Sequence, residues 1–318
     1  MEVDQLPFLY FLEGIRNAFL DFFFSVITLG GEETAFLAIG MIIFWCVNKY
    51  QGYYLLCTGF LGTITNQFLK MVFRVPRPWV IDPDFTIVES AREAATGYSF
   101  PSGHTQSSVG LFGGLARANK NRTVRIIGIA LCVLVPLSRM YLGVHTPADV
   151  GVSIVIATAL IFLGYPLFEK ARKSPKLMYI IFGALSLVCI GALCFFFLYP
   201  FPDEVYSEAN ISNLESAKKN GITLLGSIAG LVVVYTVDRK YMNFDTKAPL
   251  VGQILKCLLG IGVVLLVKEG LKVPLNALIP NALVSRGIRY FFVVITAGIL
   301  WPLTFKYFAR IGNKNENK

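Results

Sequence analysis

The sequence predicts an all-α, polytopic membrane protein: a helical bundle in which an interfacial N-terminal helix precedes about nine transmembrane helices. Composition is the first observation behind this prediction, because 55% of the 318 residues are hydrophobic and only 15% are charged. A soluble domain carries roughly a quarter charged residues. The second observation is a mean hydropathy of +0.61. The third is the recurrence of apolar runs near the ~20 residues that a helix needs to span a bilayer.

Eight apolar runs have about this length and define the predicted crossings in chain order. They cover residues 32–48, 51–73, 123–142, 147–168, 177–199, 219–237, 249–271 and 287–308. A ninth stretch, 103–119, is weaker because it opens with polar side chains. The N-terminal run, 8–28, carries Glu13, Arg16 and Asp21 among aromatic residues. This pattern is typical of a helix that lies in the membrane interface.

The distribution of basic residues predicts the orientation of the chain. Sixteen of the 29 Lys and Arg residues fall in one set of connectors, and only four of the 20 acidic residues fall in or directly beside it: Glu169, Asp238, Asp245 and Glu316. These connectors are Arg117–Arg125, Lys170–Lys176 and Arg239–Lys247, with Lys49 and the tail from Lys306. They share one side of the membrane only if 103–119 also crosses. The C-terminus is then cytoplasmic and the N-terminus lies outside.

The net charge of +9 is therefore interpreted as an orientation signal and not as affinity for nucleic acid. We expect the cytoplasmic (inner) membrane of a bacterium, because the chain carries no eukaryotic sorting signal. The surrounding membrane lipids are its expected partners.

Three polar clusters interrupt the apolar pattern and contain both histidines of the chain. The clusters are Lys70-Met-Val-Phe-Arg-Val-Pro-Arg77-Pro78, Pro101-Ser102-Gly103-His104, and Ser138-Arg139-Met-Tyr-Leu-Gly-Val-His145-Thr-Pro-Ala-Asp149. In the predicted topology all three lie at the outer membrane face. His104 and His145 can meet only if an even number of crossings separates them, and 103–119 with 123–142 supply that number.

The cations of these clusters suit a tetrahedral oxyanion. Lys70, Arg77 and Arg139 are predicted near one membrane face, where cations are expensive unless they serve a purpose. Arginine offers a planar fork of donors, and lysine offers a compact charge. Gly103 lets backbone N–H groups approach an anion closely, and the dipole of the helix that begins there adds to the attraction. Phosphate is the expected guest.

The two histidines are expected to divide the chemistry. Asp149 follows His145 by four residues, one helical turn, just after Pro147 at a predicted helix start. Its carboxylate can fix the tautomer of His145 and leave the other ring nitrogen free to attack phosphorus. His104 can donate a proton to the leaving oxygen and later activate water. No metal or cofactor is required, since the cations meet the charge of the transition state.

Each of these signals also has a structural interpretation. A histidine at the end of a membrane helix is often a simple hydrogen-bonding residue, and Lys70 or Arg77 could be a snorkelling anchor. Pro-Ser-Gly by itself is a turn and a helix cap, and Arg139 could balance a neighbouring carboxylate. The convergence of two histidines, three cations and an aspartate at helical spacing favours the catalytic interpretation.

The three clusters resemble the signature of the type-2 phosphatidic acid phosphatase superfamily, which also includes glucose-6-phosphatase, sphingosine-phosphate phosphatases and vanadium haloperoxidases. The pattern is Lys, six residues, Arg-Pro; then Pro-Ser-Gly-His; then Ser-Arg, five residues, His, three residues, Asp. The sequence matches it over Lys70–Asp149 without a gap or substitution. The resemblance implies a helical membrane core, metal-independent dephosphorylation and a covalent phosphohistidine.

The resemblance also implies a role for each residue of the signature. The implied phosphate-binding residues are Lys70, Arg77, Ser102, Gly103 and Arg139. The implied catalytic residues are His104 as the acid and base, His145 as the nucleophile and Asp149 as its orienting partner.

We divide the chain into a phosphatase-like membrane core, residues 1–199, and a set of further transmembrane helices, residues 200–318, that does not form an independent domain. The core includes the N-terminal interfacial helix. An interfacial helix followed by nine crossings is similar to the layout of glucose-6-phosphatase and the sphingosine-phosphate phosphatases. The second part carries charged residues near the outer face: Lys268, Glu269, Arg286 and Arg289. They could extend a headgroup pocket, but interfacial anchoring is the favoured interpretation.

We therefore predict an integral membrane phosphatase that hydrolyses a lipid phosphomonoester or diphosphate at the outer face. The candidate substrates are undecaprenyl diphosphate, phosphatidylglycerophosphate, phosphatidate and a sphingoid-base phosphate, because apolar surroundings favour an acyl or prenyl tail. One alternative is a lipid phosphotransferase that discharges the same phosphohistidine onto an alcohol. Another is a vanadate-binding haloperoxidase, which the many crossings argue against. A non-enzymatic lipid carrier is disfavoured, because binding alone needs no nucleophile.

Overall fold

The computed structural model describes residues 6–208 and 210–311, and within these ranges the chain forms helices and no β-strand. The first helices are α1 Leu6–Gly14, α2 Ala18–Thr28, α3 Glu33–Ile42, α4 Lys49–Phe73, α5 Pro78–Ile81, α6 Gly103–Ser108, α7 Gly114–Ala118 and α8 Arg122–Tyr141. The others are α9 Pro147–Ala171, α10 Pro175–Leu198, α11 Ile211–Val237, α12 Leu250–Gly270, α13 Lys272–Leu278, α14 Ala282–Ile295 and α15 Phe305–Phe308. π-Helical turns extend or join them at Ile43–Val47, Val109–Gly113, Asp238–Met242 and Thr296–Leu300.

Six helical segments of the described chain are long and apolar enough to cross a membrane. They are Arg122–Tyr141, Pro147–Ala171, Pro175–Leu198, Ile211–Met242, Leu250–Leu278 and Ala282–Phe308. A bent pair, Ala18–Gly31 with Glu33–Val47, makes a seventh if it is one broken span, and its two parts meet at 56°. The protein is thus an all-helical integral membrane protein. The nine crossings stay a prediction.

The N-terminal run predicted as one interfacial helix, 8–28, is divided into α1 and α2. Asn17 causes the break, because its side chain accepts a hydrogen bond from Leu20 N at 3.1 Å and caps α2. Arg16, in the same connection, donates from Nε to Tyr141 O at 3.1 Å. These contacts attach the connection between α1 and α2 to the end of α8. Its location in the membrane interface stays a prediction.

The chain packs as two compact units, each assembled from separate stretches. The first unit contains the described residues up to Leu37, with Thr58–Glu169 and Phe195–Ala217. The second contains Ala38–Cys57, Lys170–Cys194 and the described residues from Lys218 onward. The division after residue 199 that we predict from the sequence stays a prediction.

Within the first unit, α1 is packed on the segment that follows α8. Leu6, Leu9 and Leu12 are spaced three residues apart and therefore share one face of the helix. All three are buried in one cluster with Leu142 and Val144. Burying a leucine contributes about 1.5–3 kcal/mol, so α1 fixes the position of the turn between α8 and α9.

Within the second unit, aromatic rings and one ion pair connect three helices. Tyr53 of α4 and Phe182 of α10 lie with their ring centroids 5.6 Å and 5.7 Å from that of Tyr235 on α11. Lys49 Nζ donates to Asp238 Oδ2 at 2.8 Å, and the Asp238 side chain is only 5% exposed. This ion pair joins the beginning of α4 to the residue that follows α11. The ammonium group of Lys49 compensates the cost of burying the carboxylate.

Candidate active site

His145 and Asp149 form a buried imidazole–carboxylate pair. His145 lies in the turn after α8, and Asp149 lies in the first turn of α9, which begins at Pro147 because proline suits that position. The four-residue spacing brings His145 Nδ1 to 3.2 Å from Asp149 Oδ2. Both residues are 1% exposed. Thr146 N also donates to Asp149 Oδ2, at 2.8 Å, which fixes the carboxylate.

Arg77 determines which nitrogen of His145 carries the proton. Arg77 Nη1 lies 2.9 Å from His145 Nε2. A guanidinium has donors and no acceptor, so Nε2 is the acceptor and Nδ1 carries the proton that is donated to Asp149. The imidazole is therefore held in the tautomer that leaves a lone pair on Nε2, as a nucleophile requires.

The remaining donors of Arg77 bind backbone carbonyl groups. Nη2 donates to Thr96 O at 2.7 Å, Nε donates to Gly97 O at 3.0 Å, and Nη1 donates to Val144 O at 2.8 Å. These acceptors are neutral, so they orient the guanidinium without cancelling its charge. Arg77 reaches them from the N-terminal end of α5, where it directly precedes Pro78.

Lys70 binds the same loop from the last turn of α4. Its Nζ donates to Tyr98 O and, at 3.4 Å, to Ser99 O. Ser99 Oγ in turn donates to Asp149 Oδ2 at 2.6 Å. Ser99 is a site residue that our sequence analysis did not select. Its place three residues before Ser102, in a small polar stretch, is the signal that could have identified it.

Arg139 is a fully buried guanidinium with donors to spare. It is 0% exposed, and Nη1 donates to Thr28 Oγ1 at 2.7 Å. Its Nε and Nη2 atoms have no hydrogen-bond partner among residues 6–208 and 210–311. Leaving buried donors of a charged group unpaired is costly, so an oxyanion that accepts from them is strongly favoured. Thr28 is a second residue that the sequence did not reveal, because a lone threonine in an apolar run carries no signal.

His104 brings a further unpartnered nitrogen into this region. Its Nε2 is buried and has no hydrogen-bond partner in the described part of the chain. The charges of Arg139, Arg77 and Lys70 all act on its ring, which places the imidazole within electrostatic range of the three cations. Gly31 packs behind it: a Cβ there would lie 2.9 Å from both the Cβ and the O atoms of His104. No signal in the sequence points to Gly31.

Ser102 and Gly103 join the beginning of α6 to α9. Ser102 caps α6 with its side chain, and its N donates to Asp149 O at 3.1 Å. Ser153 Oγ of α9 donates to Ser102 O at 2.9 Å. A Cβ on Gly103 would meet only Asn66 Oδ1, at 3.7 Å, so packing does not require glycine there. The open space beside Gly103 is what the close approach of an anion needs.

Burial and charge together set the protonation of the site. Burial, and then the charges of Arg77, Arg139 and Lys70, hold the pKa of His145 well below its ordinary value. Burial also lowers the pKa of Arg77 to about 10, an effect that the Asp149 carboxylate opposes. His145 is therefore neutral at neutral pH. Asp149 acts electrostatically on Lys70 and Arg77, and Glu32 acts on Arg139. Three cations thus exceed these two carboxylates, an imbalance that suits a phosphate anion.

All eight residues predicted for the site lie in the first unit: Lys70, Arg77, Ser102, Gly103, His104, Arg139, His145 and Asp149. Hydrogen bonds through the loop 96–99, the imidazole–carboxylate pair and the α6 cap connect them, together with the charge interactions on both histidines. Their catalytic roles stay predictions at this point.

The helical membrane scaffold matches the models of a phosphatase superfamily. The chain belongs to the PAP2 superfamily. The family model described as PAP2 superfamily matches residues 50–173. A second model, described as PAP2 superfamily phosphatase, transmembrane extension, matches residues 222–313. The two ranges together take in about two thirds of the 318 residues, and the resemblance found in the sequence is confirmed.

Several curated relatives are similar to this chain over long ranges. A probable sphingosine-1-phosphate phosphatase of Dictyostelium discoideum is 25% identical over 73% of this chain and 57% of its own length. The undecaprenyl-diphosphatase BcrC of Bacillus subtilis is 29% identical over 54% of this chain and 86% of its own. Lipid phosphate phosphatase delta of Arabidopsis thaliana is 25% identical over 84% of this chain and 65% of its own length. The chain thus spans little more than half of the Dictyostelium protein. No solved structure gives a significant match.

Proposed function

We propose that the protein is a lipid-phosphate phosphatase that hydrolyses a phosphomonoester or diphosphate through a phosphohistidine at His145. One observation carries the proposal: His145 donates from Nδ1 to Asp149 and keeps an unprotonated Nε2 beside Arg77. The unpaired donors of Arg139 can bind the oxygen atoms of a phosphate group. A binding protein has no need for a neutral imidazole whose tautomer is fixed in this way.

In the first step, His145 Nε2 attacks phosphorus, so that an N–P bond forms while the P–O bond to the lipid breaks. His104 donates its proton to the leaving oxygen. For the attack, a phosphate oxygen replaces Nε2 as the acceptor of Arg77 Nη1, which frees the lone pair. The donors of Arg139 bind the other phosphate oxygens and stabilise their negative charge in the transition state. Asp149 stabilises the positive charge on the imidazole.

In the second step, water attacks phosphorus, an O–P bond forms and the N–P bond breaks. His104 accepts the proton of the water, inorganic phosphate leaves, and His145 returns to its neutral state. The guanidinium groups supply the positive charge that many phosphatases take from divalent cations. We therefore expect turnover in the presence of a chelator.

We propose that this site lies at the outer face of a bacterial cytoplasmic membrane, with nine crossings and a cytoplasmic C-terminus. The proposal is supported by the basic connectors, which all fall on one side when 103–119 crosses. It is also supported by the helical segment that runs from Gly103 through the π-helical turn to Ala118.

The proposed substrate is a lipid with an acyl or prenyl tail and a terminal phosphate. The names of the relatives support this class, since they refer to sphingosine-1-phosphate, undecaprenyl diphosphate and lipid phosphate. A further relative, phosphatidylglycerophosphatase B of Bacillus subtilis, is 27% identical over 50% of this chain. We propose undecaprenyl diphosphate, phosphatidylglycerophosphate, phosphatidate and a sphingoid-base phosphate as the panel to test.

The test is phosphate release from this panel by purified protein in detergent, with and without EDTA. We expect release from at least one lipid, unchanged by EDTA, and no release by the His145→Ala variant. Arg117→Gln is the control, because it removes a cation that stacks on Tyr165 in the same unit, outside the proposed site. Binding of these lipids without any turnover, or strict dependence on a divalent metal, would contradict the proposal.

A further inference from the structure

A second group of cations lies within the second unit, at the beginning of α14. Arg286 and Arg289 are one turn apart and flank the same aromatic ring. Their guanidinium carbons lie 5.4 Å and 5.5 Å from the ring centroid of Tyr290. The two guanidinium groups beside one ring repel each other, and an anion bound close to both would offset this repulsion.

Arg289 is largely buried, and one of its donors is unpaired. Only 9% of it is exposed, and its Nε has no hydrogen-bond partner among residues 6–208 and 210–311. It follows the first residue of α14 by seven positions, about 10 Å along the helix axis. A cation that anchors a helix by snorkelling puts its charged end in water. Arg289 does not fit the interfacial anchoring that the sequence favours.

Arg286 has one neutral partner and further donors. Its Nε donates to Thr223 Oγ1 of α11 at 2.6 Å. The two helices touch backbone to backbone nearby, since a Cβ on Gly226 would lie 2.2 Å from Gly287 O. This close packing and the hydroxyl contact hold Arg286 in place beside Tyr290. The hydroxyl does not neutralise its charge.

The neighbouring carboxylate does not balance these arginines. Glu269, at the end of α12, is bound by Lys268 Nζ at 3.2 Å, and its side chain is 60% exposed. Lys272 and Arg289 also act on it electrostatically. Glu269 is therefore shared between Arg289 and two lysines, Lys268 and Lys272, and it is ion-paired with the first of these.

We propose that Arg286 and Arg289 form a second anion site, which binds the phosphate group of an anionic phospholipid. Guanidinium groups bind phosphate through paired donors. Exposed apolar side chains on the same helix, Val284 and Phe292, provide surface for an acyl chain. This site consists of residues other than those of the proposed reaction, and it does not depend on the proposed function.

The experiment counts lipids bound to the full-length protein by native mass spectrometry. The probes are phosphatidylglycerol, which is anionic, and phosphatidylcholine, which is zwitterionic. We expect the wild type to retain phosphatidylglycerol preferentially and the Arg286→Gln/Arg289→Gln variant to bind it at least tenfold more weakly, since each charged hydrogen bond contributes strongly. Arg117→Gln, which removes a guanidinium from another tyrosine ring, should bind it as the wild type does.

Inorganic phosphate separates the two sources of the ligand. If millimolar phosphate displaces phosphatidylglycerol from the wild type, the site recognises the phosphate group alone. If it does not, the tail contributes and the ligand is the lipid. Arg286→Gln alone, at the less buried position, tests the site if the double variant does not fold, and it should weaken binding about threefold or more.

Equal retention of phosphatidylglycerol by the wild type and the arginine variants would overturn this second site. So would equal retention of the two lipids by the wild type. Phosphate release from the substrate panel is measured on the same preparations. Loss of that activity in every preparation would count against the proposed function and leave the lipid count intact, so the two failures are distinguishable.

Discussion

Arg77 Nη1 and His145 Nε2 lie 2.9 Å apart. Arg77, which we propose to bind phosphate, thus donates a hydrogen bond to the lone pair of the proposed nucleophile, His145. Because the guanidinium cannot accept a proton, this contact keeps Nε2 unprotonated. Substrate binding is then an exchange in which a phosphate oxygen takes over the Nη1 donor. The carbonyls of Thr96, Gly97 and Val144 hold Arg77 in place during that exchange.

Replacing Arg77 by glutamine tests this role. We expect Arg77→Gln to lower kcat by about 10²–10³, because one preoriented charged donor to the transition state is lost. The measurement is steady-state phosphate release, with Arg117→Gln as the matched loss of one guanidinium. A variant that keeps a tenth or more of the wild-type kcat would show that Arg77 has only a structural role.

Ser99→Ala tests the support of the carboxylate. The hydroxyl donates to Asp149 Oδ2 at 2.6 Å. A hydrogen bond to a charged group contributes about 1.5–3 kcal/mol, so we expect activity to fall by about 10–100-fold. The free energy of unfolding should fall by about 1–2 kcal/mol. Ser186→Ala is the control, since that hydroxyl donates to Phe182 O in its own helix. Equal activity of the two variants would rule out a positioning role for Ser99.

Gly31→Ala tests the backing of His104. The added methyl group would lie 2.9 Å from His104 Cβ, His104 O and Val135 Cγ1. We expect a loss of about 1–3 kcal/mol in stability and a larger fall in kcat than stability alone explains, because His104 is displaced. Gly110→Ala is the control, since nothing lies within 4 Å of its added Cβ. Thermal melts followed by circular dichroism measure the stability, and phosphate release measures kcat. A wild-type kcat in Gly31→Ala would contradict the proposal that Gly31 positions His104.

The lowered pKa of His145 predicts the pH dependence of stability. An unfolded histidine titrates near pH 6.5, whereas folded His145 stays neutral to much lower pH. Below about pH 6.5 the unfolded state therefore binds more protons, so the folded state loses stability as the pH falls, by up to about 1.4 kcal/mol per pH unit.

The measurement is the unfolding midpoint of the wild type and of His145→Asn between about pH 8 and pH 5. We expect the wild type to lose more stability than the variant across the acid half of this range. Parallel curves for the two proteins would mean that His145 titrates alike in the folded and unfolded chain.

Local spacing explains which parts of the site were predictable. Asp149 follows His145 by only four residues at the beginning of α9, so the short separation in sequence predicts that their side chains are close. The partners of Lys70 and Arg77 were not predictable in this way, because the carbonyls of residues 96–99 face them only through the conformation of a loop. The sequence identifies the cations and not their backbone acceptors.

Long-range packing explains what the sequence analysis missed. Thr28 contacts Arg139, and Gly31 contacts His104, across more than 70 residues of chain. No periodic pattern connects such positions. Thr28 is the last residue of the run predicted to rest in the interface, and Gly31 lies three residues beyond it. The break at Asn17 was within reach, since asparagine is a favoured N-cap residue. The all-helical membrane fold followed directly from composition and the lengths of the apolar runs.

The most direct test of the account is to trap the covalent intermediate. Purified protein is mixed with a lipid substrate that carries labelled phosphate, quenched in alkali on the millisecond scale and digested for mass spectrometry. We predict label on the peptide that contains His145 and none in His145→Ala. Turnover by His145→Ala, or label on another residue, would contradict the account.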